Sequence, residues 1–183
     1  MRSGRTRKRR EFEEVFHRFE MPLLQYARRI TGDREKARDV VQETFIKFKH
    51  NGALRREDEP ATWLFTVCRN NALNICRKER RMMYLGEEAI ELRQADEPMP
   101  FDRLEQQEAT GFLLRIVATL PPRQQEVIQL KFQNDLSYQQ IAEVMQTTAN
   151  NVGVLIHTAL KTLRQRYGEI AEEFVPFKSR TSE

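Results

Sequence analysis

Residues 137–164, SYQQIAEVMQTTANNVGVLIHTALKTLR, decide the fold. Ser137 and Gln140 stand three apart, the spacing of a capping box in which each side chain satisfies the other residue's backbone N–H. Ile141, Ala142, Val144 and Met145 then form a short apolar face. A turn is expected at Gln146-Thr147-Thr148, after which Val152, Leu155, Ile156, Ala159 and Leu163 recur at helical spacing. A short helix, a tight turn and a longer amphipathic helix make the pattern of a helix-turn-helix, whose second helix has the width of the DNA major groove. An ordinary helical hairpin has the same periodicity. The DNA reading therefore leans also on the basic end (Lys161, Arg164, Arg166) and on the helix opened upstream by Leu120-Pro-Pro-Arg.

Working outward, every other segment with clear periodicity is helical too. Phe12, Val15, Phe16, Phe19, Leu23, Leu24, Ala27 and Ile30 form one stripe, stopped at Thr31-Gly32-Asp33. Gly32 suits a left-handed C-terminal position and Asp33 can cap the next helix. Ala37, Val40, Val41, Thr44, Phe45 and Phe48 line the second helix. Pro60 is placed to open the first turn of a third, through Trp63, Leu64, Val67, Cys68, Ala72, Leu73 and Ile75. No segment alternates with period two, so the expected class is all-α: two small helical domains joined by a linker. The boundaries read as a basic N-terminal tail over 1–10, a first domain over 11–81, a linker over 82–110, a second domain over 111–167 and a C-terminal tail over 168–183.

Charge supports that division. Net charge is +6 over 1–10, +3 over 11–81, −6 over 82–110, +3 over 111–167 and −2 over the tail. Two mildly basic blocks flank an acidic one, as expected for two nucleic-acid-facing domains on an acidic, flexible tether. No stretch reaches the roughly 18 apolar residues of a membrane span, and the basic N-terminus is followed by no secretory apolar segment, so a cytoplasmic protein is expected. Cys68 and Cys76 lie about two helical turns apart, too far for a disulfide. His17, His50 and His157 are scattered, which leaves no metal-ligand cluster. Nothing groups a nucleophile with a base, nor glycines into a phosphate loop, so neither an enzyme nor a bound cofactor is expected.

The motifs carry a resemblance. Leu120-Pro-Pro-Arg-Gln-Gln-Glu-Val-Ile, Leu136-Ser-Tyr-Gln-Gln-Ile-Ala-Glu-Val and Asn151-Val-Gly-Val-Leu-Ile-His-Thr-Ala-Leu-Lys-Thr-Leu-Arg together resemble region 4 of the sigma-70 family. Asp33-Arg-Glu-Lys-Ala-Arg-Asp-Val-Val-Gln-Glu-Thr-Phe is similar to region 2.2. Pro60-Ala-Thr-Trp-Leu-Phe-Thr-Val-Cys-Arg-Asn-Asn-Ala-Leu-Asn, followed by Arg77-Lys-Glu-Arg-Arg, is similar to regions 2.3 and 2.4. Two matches in the right order, with a short linker between them, resemble the extracytoplasmic-function RNA polymerase sigma factors. The resemblance implies a region 2 helical bundle and a region 4 helix-turn-helix acting on core RNA polymerase and promoter DNA, with an anti-sigma factor as a further partner whose identity the sequence does not give.

Carried over by residue, the resemblance assigns Asp39, Gln42 and Glu43 to polymerase docking, where two acids and an amide on one turn suit a basic helical surface. It assigns Trp63, Arg69, Asn70, Asn74, Arg77, Lys78, Arg80 and Arg81 to recognition and melting of the −10 element. Unstacked bases need planar groups and hydrogen-bonding amides, and the displaced strand needs positive charge. Phe65 and Asn71 are further candidates there, and Trp63 also reads as core because Leu64 and Val67 share its neighbourhood. For the −35 element it assigns Ser137, Tyr138, Thr148, Asn150, Asn151, His157, Lys161 and Arg164. The recognition helix departs from the common pattern in carrying Gly153, Val154 and Leu155 after Asn151-Val152, so base contacts there are sparse. Arg38 stands where an acid is frequent. The competing expectations are a stand-alone helix-turn-helix regulator and a protein that sequesters a partner.

Overall fold

The computed structural model describes the backbone of residues 2–50, 60–85 and 116–174, and side chains within 9–50, 60–82 and 116–168. Residues 51–59 and nearly all of the segment read as the acidic linker (82–110) lie outside the described residues. Among the described residues every regular element is a helix.

Helix α1 (Arg2–Thr31) takes up the basic segment that the sequence suggested was a tail. Arg, Lys and Glu are good helix formers, and Arg9 Nε meets Glu13 Oε1 at 2.8 Å across one turn. Pro22 sits inside α1, where it removes one backbone bond; the packing of Leu23, Tyr26 and Ala27, all nearly inaccessible, holds the helix through it. At its end Gly32 adopts φ 69° and its N–H donates to the Arg28 carbonyl at 2.8 Å. Asp33 Oδ1 accepts from the Lys36 N–H at 2.9 Å and so caps helix α2 (Arg34–His50).

Helix α3 (Ala61–Leu85) begins just after Pro60 and runs past the expected boundary at residue 81. Pro60 stands one place before the helix and its carbonyl accepts the first-turn bond from Leu64. The three helices pack on one another. Their core is aromatic at one end: Phe16 and Phe45 rings lie 4.7 Å apart, and Phe48 and Trp63 5.5 Å. The buried face of α2 consists of Ala37, Val40, Val41, Thr44, Phe45 and Phe48, as the periodicity predicts.

In the second unit a turn at 116–118 leads to helix α4 (Pro122–Ile128). The chain then widens into a π-helical turn, Gln129–Gln133, closed by the Asn134 N–H on the Gln129 carbonyl at 3.2 Å. The helix opened by Leu120-Pro-Pro-Arg is thus α-helical only to Ile128, and Asp135 turns the chain at φ 53°. Helix α5 (Tyr138–Met145) opens on the expected capping box: Ser137 Oγ accepts from the Gln140 N–H at 3.2 Å, and Gln140 Oε1 from the Ser137 N–H at 2.8 Å. Gln146, left-handed at φ 52°, ends it. Helix α6 (Ala149–Phe174) lies against α4 and α5 through Val152, Ile156 and Ala159.

The two units touch. Helix α5 packs on α3, and the buried apolar side chains of both halves join in one cluster.

Candidate nucleic-acid interface

Three helical faces carry the candidate residues. On α2, Asp39, Gln42 and Glu43 are all exposed, on the side opposite Val40, Val41 and Thr44. Glu43 Oε1 meets Lys47 Nζ at 2.8 Å. Ile46, 57% exposed, continues the same face one turn on. The sequence reading passed over it, although its absence from the buried stripe of α2 was the available signal.

Helix α3 divides its candidates. Arg77, Lys78, Arg80 and Arg81 are exposed, and Arg77 Nη1 lies 3.5 Å from Asn74 Oδ1. Trp63 is half-buried against Phe48, so part of it belongs to the core. Phe65 is no stacking platform: it is fully buried, edge-on to Tyr26 with ring centres 5.3 Å apart. Asn71 is likewise withdrawn from the surface. Its Oδ1 accepts from Lys47 Nζ at 2.8 Å and its Nδ2 reaches Thr44 Oγ1 at 3.5 Å, because a buried amide must find partners inside. Cys68, fully buried, has its thiol pushed up to about 12 by that burial.

Arg69 and Asn70 face the second unit. Arg69 Nε donates to Glu126 Oε1 at 2.7 Å and Nη2 approaches Oε2 at 3.5 Å, with both side chains largely shielded from water. Tyr26 Oη donates to the same carboxylate at 2.6 Å. Burial first, then the neighbouring Glu126 charge, raises the Tyr26 phenol well above its ordinary pKa. Arg29 donates to Gln125 Oε1, and Gln146 Nε2 lies 3.5 Å from Asn70 Oδ1. Tyr26 lies in no quoted motif, and although Gln125 and Glu126 belong to the Leu120–Ile128 segment, nothing local marks them as partners of α1 and α3; only the meeting of the two halves does.

On α5 and α6 the polar face is largely open. Tyr138, Asn150, Val154, His157, Lys161 and Arg164 are exposed. Thr148 has a structural task, since its Oγ1 accepts from the Asn151 N–H at 3.2 Å and caps α6. Asn151 Nδ2 donates to Thr147 Oγ1 at 2.8 Å, which ties that amide to the turn. Ser137 is exposed but its hydroxyl serves the capping box. Gly153 has ordinary helical geometry, and a methyl there would sit 3.7 Å from the Tyr138 ring, in normal contact. Among the described residues no cluster of His, Cys, Asp and Glu is arranged for a metal ion, and no helix is long and apolar enough to cross a membrane.

The model of sigma-70 region 2 matches residues 15–82, and that of sigma-70 region 4 matches residues 113–163. The chain is 25% identical over 167 residues to the RNA polymerase sigma factor YlaC of Bacillus subtilis, covering 90% of this chain and 96% of that protein. It is 30% identical over 155 residues to the ECF RNA polymerase sigma factor SigL of Mycobacterium tuberculosis, covering 81% and 84%. In fold it is similar to the sigma factor RpoE of Bartonella quintana, solved with the anti-sigma factor NepR, with a TM-score of 0.63 and 21% identity over 84% of this chain and 94% of that one. With both regions matched in order along its length, the chain belongs to the extracytoplasmic-function sigma factors of the sigma-70 family.

Proposed function

We propose that this sigma factor docks on core RNA polymerase through the α2 face of Asp39, Gln42 and Glu43, extended by Ile46, and reads promoters with α3 and α6. The observation that carries the reading is the pairing of a region 2 and a region 4 segment on one chain, each presenting an exposed polar or basic helical face. Two carboxylates beside an exposed isoleucine suit a basic helical surface with an apolar centre. The basic end of α3 (Arg77, Lys78, Arg80, Arg81) supplies the phosphate contacts that hold an opened strand, with Asn74 one turn back along the helix, Arg69 and Asn70 about two turns back and Trp63 near the helix start.

On α6, Asn150 has the amide that pairs with adenine in the major groove, and Val154 offers methyl groups suited to a thymine C5-methyl. His157, Lys161 and Arg164 follow along the helix toward the phosphates. Tyr138 and Ser137 stand at the start of α5, and Thr148 and Asn151 act chiefly by holding the turn that aims α6.

The chain performs no covalent step in this reading; RNA synthesis belongs to the polymerase. It works in the cytoplasm, and a separate anti-sigma factor binds it; a relative of the same fold, RpoE of Bartonella quintana, is solved in complex with the anti-sigma factor NepR. A stand-alone regulator has no use for a region 2 segment.

Transcription by sigma-free core polymerase on genomic DNA tests the proposal. The purified chain is expected to produce discrete starts sharing two upstream elements, and Asp39→Arg/Glu43→Arg is expected to abolish them while leaving helical content unchanged. Absence of specific starts and of core binding, with tight binding of the free chain to duplex DNA, overturns it.

A further inference from the structure

The stripe of α1 that enters the first core changes its chemistry at residue 9. Phe12, Phe16, Phe19 and Leu23 share one face of the helix, and the Phe12 ring lies 6.2 Å from Phe45 and 6.5 Å from Phe48. Positions three, four, seven and ten residues before Phe12 continue that face toward the helix start, and they hold Arg9, Lys8, Arg5 and Arg2. The other two cations of the segment, Arg7 and Arg10, fall on the opposite side by the same register. No carboxylate precedes Glu11.

Helix α1 outruns both of its partners here. Phe12 beside Phe48 sets His50, the last residue of α2, level with about residue 10 of α1. Cys68 Sγ approaches the Leu23 carbonyl at 3.9 Å and Cys76 Sγ the Ile30 carbonyl at 3.4 Å, which sets Ala61, the first residue of α3, level with about residue 16. The cationic part of the stripe therefore runs about 12 Å past the end of α2. At its foot the exposed Lys49 Nζ stands 6.0 Å from the Phe12 ring, and half-buried Trp63 meets Phe48 at 5.5 Å.

This arrangement is unfavourable for the chain alone, because cations three and four apart on a helix repel, as Arg5 does with Lys8 and Arg9. Arg9 is offset by Glu13 at 2.8 Å, in a pair whose side chains are 82% and 49% accessible. So exposed a pair holds weakly, and a phosphate can share or replace its carboxylate. A polyanion laid along the stripe turns each repulsion into attraction. We infer that Arg2, Arg5, Lys8 and Arg9, with Lys49, form a site for the backbone of an unpaired nucleic-acid strand. One step of charge per helical turn, about 5.4 Å, suits a line of phosphates. The aromatic foot suits an unstacked base, which an acidic peptide does not offer. The site is separate from the basic end of α3, which begins about 20 Å along that helix from Trp63. That the strand is promoter DNA rests on the function proposed above; the phosphate binding does not.

The test compares two full-length variants of equal charge: Arg5→Gln/Lys8→Gln on the stripe and Arg7→Gln/Arg10→Gln opposite it. Glutamine is close to lysine and arginine in helix propensity, and circular dichroism checks that α1 is kept. The probe is a fluorescent oligothymidine strand titrated at several salt concentrations. The stripe pair is expected to weaken binding roughly tenfold and to flatten the plot of log K against log salt by about 1.4. The opposite pair is expected to cost less than about twofold, the share of a general field rather than of direct contacts. Equal losses from the two pairs, or no loss from either, overturn the site. A loss confined to a duplex of the same length overturns the assignment to an unpaired strand. Loss of binding to an oligoglutamate, with strand affinity unchanged, assigns the stripe to an acidic protein surface and also overturns it. The sigma reading is scored apart, with core polymerase: if the wild-type chain gives no specific starts while the stripe pair still weakens strand binding, the site stands and its promoter role falls.

Discussion

Helices α3 and α6 carry similar chemistry to different effect. Each has a buried apolar face and an outer face of asparagines and cations. Yet Arg69 and Asn70 on α3 are held by the other half of the molecule, Asn71 is turned inward, and only the far end from Asn74 to Arg81 is open. On α6 the exposed face from Asn150 to Arg164 meets solvent along its length. A residue type that suits nucleic acid is thus no guide to whether the side chain is available. The surroundings decide.

The comparison breaks most sharply at Phe65. If it were a stacking residue, Phe65→Ala would weaken DNA binding and spare the fold. Its complete burial instead predicts a loss of about 3–5 kcal/mol in denaturant unfolding of the first unit, the usual result of emptying an aromatic core site. A loss below 1 kcal/mol, with impaired strand binding, would restore it to the −10 surface.

Next in size is the contrast between the two basic ends. Replacing Arg77, Lys78, Arg80 and Arg81 together by glutamine is expected to reduce single-strand affinity by roughly a hundredfold at moderate salt. It should flatten the plot of log K against log salt by about 0.7 per lost contact. Replacing Lys161 and Arg164 should affect duplex binding by about tenfold, with little change for single strands. Equal effects on both substrates would erase the distinction between the helices.

Cysteine reactivity sharpens the first half of the comparison. The Cys68 thiol is raised by burial to about 12 from an ordinary 9.0. A raised thiol pKa favours the neutral form in the fold, so its stabilising effect is complete below about pH 9 and is lost as pH climbs through 12. At pH 8 Cys68 should resist thiol reagents until the protein unfolds, while half-buried Cys76 reacts slowly. Rapid labelling of both would show the α1–α3 packing to be loose.

Two smaller changes separate scaffolding from recognition on α5 and α6. Thr148→Ala removes the α6 cap and should lower stability by about 1 kcal/mol in thermal unfolding. Gly153→Ala should stabilise the second unit by up to about 1 kcal/mol, because the glycine has helical geometry and an added methyl meets no clash. Should Gly153→Ala also abolish −35 binding with stability raised, the glycine is needed for close approach to DNA.

Much was legible from local pattern. The inner face of α2, the left-handed Gly32, the Asp33 cap and the Ser137–Gln140 box are all consequences of neighbours three or four residues apart, and such contacts are encoded where they occur. The exposure of Asp39, Gln42 and Glu43 follows from the same periodicity. The π-helical turn after Ile128 was not legible: Gln129–Gln133 has ordinary helix formers, and no local pattern in it marks a widened register.

Sequence by itself determined the helical class, the turn chemistry and the two regions in their order, since periodicity and capping act over a few residues. Tertiary structure alone decided which members of a chemically uniform set are free to bind. Arg69, Phe65 and Asn71 differ from their neighbours in what packs against them, and Glu126 lies 57 residues from Arg69 in the chain. Desolvation and charge pairing across that separation depend on where the halves meet in space, and no local pattern carries that information.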